Sequence, residues 1–101
     1  MRLVFTEQAQ QSMNNSFLFL LEEQGVPSQK IDEFRDNLKL AIKQLLKNPY
    51  LGQRETRLQY LNKDHRRLIE GYFKIIYFIK DDSIYITDIF DSRQDPKKMK
   101  G

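Results

Sequence analysis

A chain of 101 residues is long enough for one domain with one modest core. Its 40% apolar and 12% aromatic content marks it as folded rather than disordered. No cysteine and a single histidine exclude disulfides, thiolate catalysis, cysteine-ligated zinc and any multi-histidine metal site, so neither metal nor cofactor is expected. Residues 1–48 carry six basic and six acidic side chains, whereas residues 49–101 carry eleven basic and eight acidic ones, so the net charge of +3 belongs to the second half. That excess is a mild pointer to an anionic partner and equally compatible with a solvated surface. Met1–Phe5 runs straight into polar Thr6-Glu7-Gln8, without the pattern of a secretory signal. The longest apolar run, Phe17 to Leu21, is far too short to span a bilayer, which leaves the cytoplasm as the expected location.

In chain order, Arg2 to Phe5 reads as a short strand and Thr6 as the cap of the first helix. Ala9, Met13, Phe17, Leu20 and Leu21 fall near helical spacing and predict that helix from Glu7 to about Gln24, ended by Gly25-Val26-Pro27. Ser28 is positioned to cap a second helix, on which Ile31, Phe34, Leu38, Ala41, Ile42 and Leu45 form one stripe. Asn48-Pro49 stops it, because proline disfavours helical geometry in the residue before it. The short link between the helices makes them an antiparallel hairpin.

Tyr50 to about Asp64 reads as a loop or irregular strand. Strand signals resume at His65–Glu70, Tyr72–Ile79 and Ile84–Phe90, separated by Gly71 and by the polar break Lys80-Asp81-Asp82-Ser83. The middle run is apolar on both pleat faces, with Phe73, Ile75, Tyr77 and Ile79 on one and Ile76 and Phe78 on the other, so it belongs in the sheet centre. The expectation is a single α+β domain over residues 1–101, of order β-α-α-β-β-β, with a helical hairpin packed on a mainly antiparallel four-stranded sheet.

Strand alternation projects His65, Arg67 and Ile69 to one face, and Lys74 joins them if the register sets it beside Arg67. Arg93, just past the last strand, is then expected to close the cluster. Such a group suits an RNA phosphate, since fixed cations stabilise charge developing on phosphorus and a histidine transfers protons near neutral pH. The plainer alternative is a sheet edge whose cations pair with Glu55, Asp64 or Glu70. The aromatics Tyr72, Phe73, Tyr77, Phe78, Tyr85 and Phe90 fill a core or stack bases, and Asp88 and Asp91 read best as caps or ion-pair partners.

The element order, the segment Gly71-Tyr72-Phe73-Lys74-Ile75-Ile76-Tyr77, Asn48-Pro49 followed by Gly52, and the ending Asp88-Ile89-Phe90-Asp91-Ser92-Arg93-Gln94-Asp95-Pro96 together resemble the RelE/ParE superfamily of toxins from bacterial type II toxin–antitoxin, or plasmid-stabilisation, systems. The resemblance implies growth inhibition restrained by a cognate antitoxin, which docks by extending the sheet or filling a groove beside the helices. It implies one of two activities. RelE-like members cleave mRNA in the ribosomal A site without a metal, and their basic positions map onto His65, Arg67, Lys74 and Arg93. ParE-like members poison DNA gyrase and have no hydrolytic site, so whether this chain is an enzyme stays open here. Arg54, Arg57, Arg66, Lys97 and Lys98 are the expected contacts to RNA or another target. The chain departs from the RelE-like pattern where a C-terminal tyrosine would fall near Met99, a residue that cannot transfer a proton. The ending also resembles ParE-like chains more, and gyrase inhibition is therefore the first expectation, with mRNA cleavage or an inactive antitoxin-binding module as alternatives.

Overall fold

The computed structural model describes residues 1–101. The elements are β1 (Arg2–Phe5), α1 (Glu7–Glu22), α2 (Ser28–Lys47), β2 (Gln53–Arg54), a 3-10 helix at Thr56–Leu61, β3 (Arg66–Glu70), β4 (Phe73–Lys80), β5 (Ser83–Asp91) and a 3-10 turn at Pro96–Lys98. The sheet order is β1-β5-β4-β3-β2, with β1 parallel to β5 and every other pairing antiparallel. The α+β class and the helical hairpin match expectation, but the sheet has five strands rather than four. The extra one is a two-residue edge strand, Gln53–Arg54, inside the segment read as a loop. Its pairing comes from β3 across the sheet, and two residues carry no periodicity of their own.

Thr6 joins the first strand to the first helix. Its hydroxyl accepts the Ala9 N–H at 3.2 Å and donates to the Ile86 carbonyl at 2.7 Å, capping α1 while fastening it to β5. Ser28 does not cap α2: it lies inside the helix, and Pro27 holds the cap position without a side-chain hydrogen bond. Proline's fixed φ suits a helix start and leaves one fewer N–H to satisfy. The β4–β5 link is a two-residue turn in which Asp81 (φ 50°) and Asp82 (φ 60°) are both left-handed, the geometry that matches strand twist in a tight hairpin.

The stripes of both helices meet β4 and β5 in one core that includes Phe17, Leu20, Leu38, Leu45, Ile75, Tyr77, Ile84 and Ile86. Phe73 receives the edges of Phe17 and Phe34 at centroid distances of 5.9 and 5.8 Å. At the far end of this core the Tyr77 hydroxyl donates to the Pro49 carbonyl at 2.8 Å and accepts the Gly52 N–H at 2.9 Å. Residue 52 must be glycine there, since a Cβ would lie 2.6 Å from the Arg67 carbonyl and 2.7 Å from the tyrosine oxygen. A register shift between Ile76 and Tyr77 leaves Thr87 unpaired on β5, a bulge that bends the strand beside α1.

The opposite face of the sheet is also covered. Leu58, Ile76, Phe90 and Met99 form a second apolar cluster, with Leu61 against it. The 3-10 helix supplies Leu58 and Leu61, and the C-terminal segment supplies Met99. Because side chains three apart eclipse in a 3-10 helix, one side of it faces the sheet.

Candidate functional site

The second face carries the anticipated cations. Arg67 is opposite Ile76 and Lys74 opposite Ile69, so Arg67, Lys74 and His65 lie on the same side of the sheet. Glu55, only 4% exposed, sits between them. Its Oε2 is 3.4 Å from Arg67 Nη1 and 3.9 Å from Lys74 Nζ, while Oε1 accepts the Arg57 N–H at 3.3 Å. Arg67 also donates to the Arg54 carbonyl at 2.7 Å and the Gln53 amide oxygen at 3.1 Å. Of the three acids named as pairing partners, Glu55 is the one that takes the role. It is the sole acid between Gln53 and Leu61, a signal the sequence does contain.

His65 is 2% exposed and meets the Phe78 ring edge-on at 5.2 Å. Burial, aided by the nearby Lys63 charge, lowers its pKa from the ordinary 6.5, which keeps the imidazole neutral at pH 7. Neither ring nitrogen has a hydrogen-bond partner. Gly101 presses against the ring so closely that a Cβ there would lie 2.7 Å from Nε2.

Arg93 does not complete this group. It forks onto Asp91, with Nε to Oδ1 at 2.9 Å and Nη2 to Oδ2 at 2.6 Å, and its guanidinium lies 4.4 Å above the Tyr72 ring. Burial works against ionisation of Asp91, but the Arg93 fork outweighs it and holds the carboxyl below its ordinary pKa. The same contact raises the pKa of Arg93. The cause is local: a bidentate carboxylate two residues away is reached without crossing the sheet.

Arg66 points to the helix side, donates to the Gly52 carbonyl at 2.7 Å and covers the Tyr50 ring at 4.9 Å. Arg54 and Arg57 are exposed around the edge strand and the 3-10 helix. Lys97 and Lys98 line a groove of about 970 Å³ whose opposite wall is α1. Its apolar floor and walls include Phe19, Leu20, Val26 and Ile89. Phe19 is half exposed and lies off the core stripe of α1, so periodicity gives it no role. Asp88, buried at the groove's inner end, accepts the Lys100 N–H at 2.9 Å and a hydrogen bond from Ser12. Burial nevertheless raises its pKa.

For phosphoryl chemistry, then, the face holds two cations already bound to a buried carboxylate, a sealed neutral imidazole and a methionine plug. Met99, 6% exposed, packs against Leu58, Ile76 and Phe90. No three His, Asp or Glu side chains are arranged to hold a metal ion. No helix is long and apolar enough to cross a membrane. The family model described as ParE toxin of type II toxin-antitoxin system, parDE, matches residues 3–96. No curated protein matches the chain.

Proposed function

The chain belongs to the ParE toxin family of type II toxin–antitoxin systems, and from that premise we propose that it inhibits DNA gyrase rather than cleaving RNA. It is the toxin component of such a system, and the family implies a cognate antitoxin as partner. The observation that carries the gyrase reading is the closed second face. A ribonuclease needs cations free to meet developing phosphate charge and a side chain able to move a proton. Here Glu55 engages Arg67 and Lys74, His65 is buried, and Met99 packs on the same face against Ile76 and Phe90.

The shared face of His65, Arg67 and Lys74 is the one observation favouring mRNA cleavage, and that reading requires Glu55 and the C-terminal segment to move aside together. The antitoxin is read as laying a segment into the groove between α1 and residues 97–100. Exposed Phe19 and the basic rim of Lys97, Lys98 and Lys100 suit an acidic, amphipathic strand or helix.

The test is direct. Purified chain should block supercoiling of relaxed plasmid by gyrase at stoichiometric ratios and leave ribosome-bound mRNA intact. Cleavage of that mRNA with supercoiling unaffected overturns the gyrase reading, and inactivity in both assays favours an inactive antitoxin-binding module.

A further inference from the structure

The 3-10 helix at Thr56–Leu61 has three distinct sides, because residues three apart eclipse. Leu58 and Leu61 turn to the sheet. Gln59 and Asn62 line a separate cavity of about 340 Å³, together with Arg54, Glu55, Asp64 and His65, and none of its lining residues is apolar. Arg57 and Tyr60 form the third side and face solvent, with Tyr60 72% exposed. Lys63 comes next in the chain, its ammonium 5.1 Å from the Phe78 ring centre.

A polar cavity beside an exposed tyrosine and three cations is an unusual grouping for a bare surface. Glu55 and His65 form the inner wall of this cavity, and Arg54, Gln59, Asn62 and Asp64 form its exposed rim. Asn62 (φ 57°) and Asp64 (φ 56°) hold left-handed backbone on the wall of the same cavity, where the chain turns sharply back into β3.

We infer that this cavity receives one unstacked base of a single-stranded nucleic acid. The neighbouring base stacks on Tyr60, and the flanking phosphates lie on Arg54, Arg57 and Lys63. The cavity wall offers both donors and acceptors, as a base edge requires, and an exposed tyrosine gives a sequence-tolerant stacking platform. A duplex has its base edges paired and its faces stacked, so it can use only the cations. This site is separate from the groove beside α1 and does not rest on the gyrase reading. No covalent step is involved.

The full-length chain is titrated against fluorescent 12-residue single strands, the matching duplex, and an abasic strand of equal length, across a salt series. The single strand should bind more tightly than both controls and emerge uncleaved. Tyr60→Ala should weaken it about fivefold or more, the lower end of what one stacked base contributes. The double variant Arg54→Gln with Arg57→Gln should lower the slope of log affinity against log salt by about 1.4, two phosphate contacts at ~0.7 each. Gln59→Leu should shrink the preference over the abasic strand while keeping the salt slope. All four substituted positions are solvent-exposed, and circular dichroism confirms that each variant is folded. Equal affinity for the single strand and the abasic strand overturns the proposal, as does equal affinity for the duplex. Absence of binding also overturns it and assigns the patch to an acidic protein surface instead.

Discussion

Met99→Ala tests the closure of the second sheet face, on which the choice of function depends. The side chain is almost wholly buried against Leu58, Ile76 and Phe90. Truncating a buried methionine to alanine costs about 2–5 kcal/mol, including the cavity it leaves. This cluster is small and lies near a chain end, where neighbours relax inward, so the lower end applies and ~2 kcal/mol is expected. For a domain of this size, 1 kcal/mol moves Tm by roughly 4–8 °C, which places the shift near ~10 °C. Thermal and urea unfolding monitored by circular dichroism read it directly, with Lys98→Ala, an exposed neighbour, as the control. If Met99→Ala changes stability by less than ~0.5 kcal/mol, an ordinary surface effect, the C-terminal segment is not packed on the sheet. The argument that this face is closed to RNA then fails with it.

The buried polar groups give two further expected outcomes. Tyr77→Phe keeps the ring but orphans the Gly52 N–H and the Pro49 carbonyl; at about 1–3 kcal/mol per stranded group, a loss of ~2–4 kcal/mol is expected in urea unfolding. A change below ~1 kcal/mol means those groups are satisfied elsewhere. His65 has a pKa below its ordinary value, so the unfolded chain binds its proton first. Its contribution is therefore fully present above pH 6.5 and is lost as pH falls below that value toward the lowered folded pKa. His65→Gln should flatten this part of the stability–pH curve, and an unchanged slope would assign the acid sensitivity to another group.

Much of the fold is legible because it is periodic. The α2 stripe, the two-faced apolar pattern of β4 and the projection of His65 and Arg67 to one side come from spacing alone, while Lys74 joins them through the β3–β4 register. What sequence leaves open depends on distant partners. The parallel pairing of β1 with β5 joins residues about eighty positions apart, and no local pattern specifies it. Glu55 reads as one of three acids able to pair with the cations, and only its packing against β3 and β4 makes it the buried counter-ion. Arg93 is different: its partner Asp91 is two residues away and already reads as a cap or ion-pair partner, so this pair is local. Met99 sits in a short polar ending, where one apolar residue carries no period. For β1, Glu55 and Met99 a contact outside the local pattern decides what the side chain does.

The pairing of Arg2–Phe5 with Ser83–Ile86 also sets an order of events. β1 cannot take its place until β5, about eighty residues later, has been made, and it waits at the far edge for β5 to arrive. Contacts this distant in sequence slow folding, because a long loop must close before any pairing compensates for it. The groove beside α1 is walled by β5 and the segment after it, so it too exists only after residues 88–100 have been made. A partner that recognises the finished groove therefore meets a domain whose two chain-distant edges have already come together, rather than its helices alone.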